Sequence, residues 1–223
     1  MTEMIRAEFH CHTVYSHDSG NRIPQLIAGA HERGISRLAV TDHNTIRGAL
    51  IAKDLDPDLV IVGEEILTAS GELLAYYVKD EIPKRLSAKE TIARLKDQGA
   101  LIAIPHVFDL RRHGWRITDL LEILPFVDAL EVFNARCLTK STNLRGMDFA
   151  REHGLPMIAG SDAHSLVELG LGAVRLPVFN SPEELREALK TAVIKGRLVS
   201  PLEHLKASAL IGLGRLDPWK KRD

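Results

Sequence analysis

The stretch "IRAEFHCHT" (residues 5–13) alternates apolar residues at Ile5, Ala7 and Phe9, then delivers two histidines, His10 and His12, one residue apart. Apolar alternation of period two marks a half-buried strand. Side chains at i and i+2 of a strand point the same way, so both imidazoles face one spot, roughly 7 Å apart along the backbone. That spacing suits two donors to one metal ion. Ten histidines in 223 residues would give about half of one such pair by chance, so the motif takes its meaning from its surroundings.

Outward from this strand, short apolar runs recur at 38–40, 59–62, 73–78, 101–104, 129–132, 157–159 and 173–176. Helix-like segments lie between them at 24–33, 87–98, 117–124, 141–153 and 182–195. In "SAKETIARLKDQG" (87–99), Ser87 with Glu90 three residues on forms a capping box, and Gly99 ends the segment. In "NSPEELREALKTAVIKG" (180–196), Ser181 is the N-cap, Pro182 fits the first turn and Gly196 is the stop. This alternation predicts an α/β fold with a mainly parallel sheet. The runs 59–66 and 73–78 stand only "TASGE" apart, which reads as a hairpin. No linker or repeat divides the chain, so a single domain over 1–223 is expected, with its core at about 5–198 and a C-terminal capping segment at 199–223.

Composition narrows the function. A net charge of −1 gives no reason to expect long nucleic acids or a membrane as partner. Cys11 and Cys137 make no disulfide framework and read as reduced, packed thiols. The N-terminus lacks an apolar signal region, and no run reaches membrane-spanning length, so a cytoplasmic location is expected.

The chemistry collects at the ends of the runs. His10 and His12 follow the first, Asp42 and His43 the second, Glu64 and Glu65 the third, and His106 follows "LIAIP". Asn134 follows "ALEVF", and Asp162 and His164 follow "PMIAG". In α/β barrels that face carries the active site, because the βα loops converge there. Histidine nitrogen with carboxylate oxygen, and no thiolate, suits Zn, Mn, Fe or similar divalent ions. Eight or nine such residues exceed one four-coordinate site. Two or three ions with shared carboxylates fit better and suit phosphoryl chemistry. No nucleophile elbow, P-loop or dinucleotide fingerprint competes.

The motifs "FHCHTVYSHDSG", "AVTDHNTIRGA", "VGEEI", "AIPH", "EVFN" and "AGSDAH" together resemble the PHP (polymerase and histidinol phosphatase) family of metal-dependent phosphoesterases. The resemblance implies a distorted (β/α)7 TIM-like barrel with two or three metals on its C-terminal face. By position, His10, His12, Glu65 and Asp162 would hold one ion. Glu65 would bridge to a second held also by His106, and Asp18, His43 and His164 would hold the third. His17 precedes Asp18 in a loop of variable length, so either residue could be that ligand. Glu72 stands where members often carry histidine, which makes it a ligand or an outer residue, and Glu64 falls outside the ligand set. The implied activity is hydrolysis of a phosphate ester of a small metabolite or nucleotide, with Glu65 and Asp162 at the reacting centre and His164, or a water on the third ion, as proton donor. A metal-dependent amidohydrolase, or an inactive metal-binding regulatory module, is the alternative.

Cationic partners for a phosphate are expected in Arg112 and Arg136, with Asn134 either reaching the phosphate or capping its loop. Asp42 either orients a ligand histidine or caps the helix after "TDHN". His31, His113, His153 and His204 read as surface residues, and Trp115 and Trp219 as packing.

Overall fold

The computed structural model describes residues 3–109 and 111–215. The first strand, β1 (Met4–Cys11), pairs in parallel with β2 (Arg37–Val40), which pairs in parallel with β3 (Val60–Leu67). The chain then turns back at once. β4 (Glu72–Tyr76) is antiparallel to β3 and to β5 (Leu101–Ile104), as the short "TASGE" connection requires. Parallel pairing resumes through β6 (Ala129–Asn134) and β7 (Met157–Gly160). The helices α1 (Ile23–Glu32), α2 (Arg47–Leu55), α3 (Ala88–Asp97), α4 (Ile117–Ile123) and α5 (Lys140–Glu152) connect them.

β8 (Gly172–Pro177) joins the near half of β1 antiparallel, at Met4 to Ala7, and carries the edge strand β9 (Val193–Gly196). Beyond Ala7, the same edge of β1 is taken by the segment leaving β7. Asp162 N donates to His10 O at 2.8 Å and His12 N to Ala163 O at 3.0 Å. The nine-stranded mixed sheet therefore bends into a nearly closed barrel, the distorted form that the resemblance implied. Its interior is filled by Phe9, Tyr76 and Phe179, with the Phe9 ring edge-on to Tyr76 at 5.5 Å and stacked on Phe179 at 6.2 Å.

Closure depends on a missing side chain. A Cβ on Gly160 would overlap the Cβ of His10 and stand 2.5 Å from Glu131 Oε1. Gly160→Ala should therefore cost about 1–3 kcal/mol or more by overpacking, read as a lower thermal midpoint. An unchanged midpoint would mean that β1 and β7 are not held this close.

One expected helix is shorter than its periodicity suggested. The segment 182–195 ends its helix, α6 (Pro182–Leu189), six residues early, and β9 follows. Leu185, Ala188 and Leu189 complete the buried stripe of α6. Thr191, Val193 and Ile194 then supply β-branched residues, and Ile194 packs on the barrel core. The caps at Ser87 and Ser181 form as read, accepting from the Glu90 and Glu184 amides. By contrast the N-cap of α2 is Ile46, with no side-chain cap, so Asp42 does not cap it. Within the C-terminal segment, α7 spans Pro201–Arg215, and Trp219 lies outside the described residues. No helix among them is long and apolar enough to cross a membrane.

Both cysteines are buried and free. Burial pushes both thiols up, with Glu8 and Asp42 adding to the effect at Cys11 and Glu131 at Cys137. Neither should react with a thiol reagent in the native state at neutral pH, and both should react in denaturant. Rapid native labelling of either would contradict this packing.

Candidate metal centre

Six parallel-running segments end at one rim, and their terminal residues converge there. His10, His12, Glu65, His106, Asp162 and His164 are buried, His43 is mostly buried, and Asp18 is one-third exposed. Their donor atoms form overlapping groups, each within 4.8 Å: His12, His43 and His164; His10, His106 and Asp162; His10, His12 and Glu65; and His43, Glu65 and Glu72. Glu65 links them. Its Oε2 lies 3.4 Å from Nε2 of both His10 and His12 and 3.0 Å from His43 Nδ1, while Oε1 lies 3.0 Å from His106 Nε2.

Hydrogen bonds behind the rings decide what those rings present to the site. His10 Nδ1 donates to Glu131 Oε1 at 3.0 Å. Ser16 Oγ gives its proton to Asp42 Oδ1 at 2.6 Å, so it accepts from His12 Nδ1 at 3.1 Å. Both rings thus turn Nε2 toward the site, and the two Nε2 atoms stand 3.1 Å apart. With both imidazoles neutral, two lone pairs face each other at that distance, an arrangement that a bound cation would relieve. Asp18 Oδ1, Glu65 Oε2, Asp162 Oδ1 and His164 Nε2 are likewise buried without a hydrogen-bond partner. Such atoms aim at a shared point rather than at one another, so the donor set fits divalent ions.

The electrostatics have the same sense. Burial opposes charge on His10, yet Glu131, Glu65 and Asp162 raise its pKa well above the usual value. Burial also opposes charge on His43, but Glu65 and Asp18 lift it to about 11. Burial, His164 and His43 together lower His12. Against the penalty of burial, Arg112 and His10 hold Asp162 well below the usual carboxylate range. The carboxylates here demand positive charge.

The alternatives left open by sequence are separated by position. Asp18 sits between His43 Nε2 at 3.5 Å and His164 Nε2 at 3.1 Å, whereas the His17 side chain is 81% exposed. Asp42 accepts from Thr13 N and Oγ1 as well as Ser16 Oγ, and so orients His12 through the serine. Glu64 points to the opposite side of β3 and accepts from Ile82 N at 3.2 Å. Glu72 Oε2 stands 3.8 Å from His106 Nε2, and its Oε1 3.2 Å from His113 Nδ1. His113 thus overlies the site instead of standing free. Arg112 contacts Asp162 Oδ2, and Arg136 donates to His164 Nδ1 at 2.6 Å. Asn134 is enclosed, donating to Glu131 Oε2 at 3.1 Å and Asp162 Oδ2 at 3.3 Å. Trp115 packs against Gly71, where a Cβ would meet its ring, and donates to Glu72 O.

Three buried carboxylates were not anticipated. Glu131 also accepts from the His106 amide at 2.8 Å, which secures that residue at a left-handed φ of 25°. Glu8 accepts from the amides of His10, Ser161 and Gly170, and burial raises it to about 8 despite those bonds. Glu168 accepts from the amides of His164 and Ser165 and pairs with Arg136 Nε at 3.3 Å. Glu8 lies two residues before His10, but the β1–β2 register shifts between Glu8 and Cys11, so alternation alone could not assign its face.

Fold and cluster together define an α/β barrel that gathers metal-type donors at the C-terminal ends of its strands. Residues 8–103 match the PHP domain and residues 140–194 the PHP-associated PHP_C segment. The protein MJ0417 of Methanocaldococcus jannaschii is 31% identical over 229 residues, covering 98% of this chain and 88% of that one. The chain belongs to the PHP domain family. Among solved structures, PsfC of Pseudomonas syringae superposes with a TM-score of 0.64 at 15% identity, covering 98% of each chain. A protein of Bifidobacterium adolescentis, provisionally named a metal-dependent phosphoesterase, has a TM-score of 0.60 at 19% identity over 87% of this chain and 97% of that one. At those identities the likeness is one of fold.

Proposed function

We propose that the protein hydrolyses a phosphate ester of a small metabolite or nucleotide at a centre of two or three Mn, Zn or Fe ions. The observation that carries this reading is the facing Nε2 pair of His10 and His12, with Glu65 reaching from it to His43 and His106. Ions bound among these donors would polarise the phosphoryl oxygen and lower the pKa of water. His10, His12, Glu65 and Asp162 would hold one ion, Glu65 with His106 a second, and Asp18, His43 and His164 a third. Arg112, one-fifth exposed beside Asp162, presents a planar fork to phosphate oxygens. Asn134 and Arg136 keep Asp162 and His164 in place from beneath. The proton for the leaving oxygen would come from His164, or from a water at the third ion where His164 Nε2, beside Asp18, is itself a ligand.

Elemental analysis of protein purified without chelator or nickel tests the centre, and a panel of small phosphate esters tests the reaction. Two to three equivalents of metal per chain and phosphate release abolished by chelator are expected. No metal after incubation with each ion would overturn the reading. Metal without turnover of any phosphate ester would overturn the phosphoesterase part alone.

A further inference from the structure

We propose that the loop 81–86 forms a second anion-binding subsite facing the metal centre, so that the natural substrate carries another anionic group, phosphate or carboxylate, remote from the scissile ester. This inference rests on the phosphoesterase reading above and narrows its substrate class. The ligand cluster opens into a cavity of about 690 Å³. That is the size of pocket that encloses a whole small organic molecule, well beyond one phosphate group. Asp18, His43 and Glu72 line it together with Lys84 and Arg85.

The two basic residues differ from the other cations of the cavity. Arg111 is committed to Asp109 at 2.8 Å and to the Arg136 carbonyl at 2.9 Å, and Arg112 lies against Asp162, where it would serve the scissile phosphate. No hydrogen bond or ion pair engages the side chains of Lys84 and Arg85 among the described residues, and both are exposed. Glu81, on the same loop, turns its carboxylate to the Ile46 amide at 3.3 Å. The cationic charge on this wall is therefore available to a ligand.

The loop is also built to hold that charge in place. Its backbone is tied at Ile82 to the buried Glu64, and at Arg85 and Leu86 to the β3–β4 turn through Leu67 O at 2.6 Å and Ala69 N at 2.8 Å. Arg85 itself adopts a left-handed φ of 66°, a conformation rarely held by a non-glycine residue without a structural demand. A buried carboxylate and a strained arginine are unusual supports for a mere connection. Leu67, Ile82 and Pro83 line the cavity beside the basic pair and offer an apolar wall to a carbon skeleton.

Isothermal titration of Mn²⁺-loaded protein tests the subsite without turnover. The probes are propyl-, pentyl- and octylphosphonate, each compared with the α,ω-bisphosphonate and the ω-phosphonocarboxylate of the same chain length. At one length, a second anion should tighten binding at least tenfold over the monophosphonate, and the arm that does so identifies the group as phosphate-like or carboxylate. The ratio should fall to near one in a Lys84→Ala/Arg85→Ala variant and persist in Lys84→Arg. Monophosphonate binding with no gain in either arm, or a gain that survives the double variant, would overturn the subsite alone. No binding of any monophosphonate would overturn the phosphoesterase reading and the subsite with it.

Discussion

Glu65→Gln should strip the protein of bound metal and lower phosphate-ester turnover by on the order of 10²–10³-fold, the loss typical when one preorganised electrostatic group is removed from a reacting centre. The reason is the span of this one carboxylate. Oε2 serves His10, His12 and His43 at 3.0–3.4 Å, while Oε1 serves His106 at 3.0 Å. Glutamine keeps the shape but offers a single oxygen and no charge, so one side of the cluster loses its shared donor. Burial would by itself favour the neutral acid, yet His10 and His43 keep Glu65 well below the usual carboxylate range. Removing that charge leaves His10 and His43 without the buried carboxylate that both approach, which weakens the fold as well. Metal per chain after gel filtration, thermal midpoint and turnover should all fall together. Full metal content with turnover within threefold of the parent would refute the bridging role.

The second large effect is expected at Glu131, which touches no substrate. Its replacement by glutamine should weaken metal binding by about 10–100-fold, the usual range for a group that orients a ligand histidine. Glutamine can present an amide proton to His10 Nδ1 where the carboxylate only accepts, so the ring loses the tautomer that exposes Nε2. Alanine should do more. It strands His10 Nδ1, the His106 amide and Asn134 Nδ2, each a buried donor whose lost partner costs about 1–3 kcal/mol. Competition against a fluorescent chelator gives the affinity, and a melting curve gives the stability. A glutamine variant with parental metal affinity would show that His10 is positioned by packing alone.

The fates of Glu131 and Glu65 in the sequence explain what could be read there. Glu65, His106 and Asp162 each stand within three residues of the end of an apolar run, so their place at the rim follows from what succeeds each strand. Hairpin and parallel crossovers were equally open to view, because connection length constrains strand direction. Glu131 sits inside its run, and strand alternation could not assign its face because the β6–β7 register shifts between Glu131 and Phe133. The positive φ of His106 and Asp162 escapes notice for a related reason. Nothing local favours those angles, and only bonds to distant partners such as Glu131 and His10 O hold them. The strand β9 escaped because eight helical residues precede it without a break, and its extended form is stabilised by pairing with β8.

The seam of the cylinder has a consequence of its own. β1 meets the far end of the sheet where His10 and His12 exchange backbone bonds with Asp162 and Ala163, and the side chains of three of those four residues belong to the candidate metal cluster. The hoop is therefore latched by the very positions that give it a purpose. A chain that springs open there loses its site at the same instant, and an ion that settles there acts as a rivet on the joint. On the proposed reading, assembly and competence would be a single event.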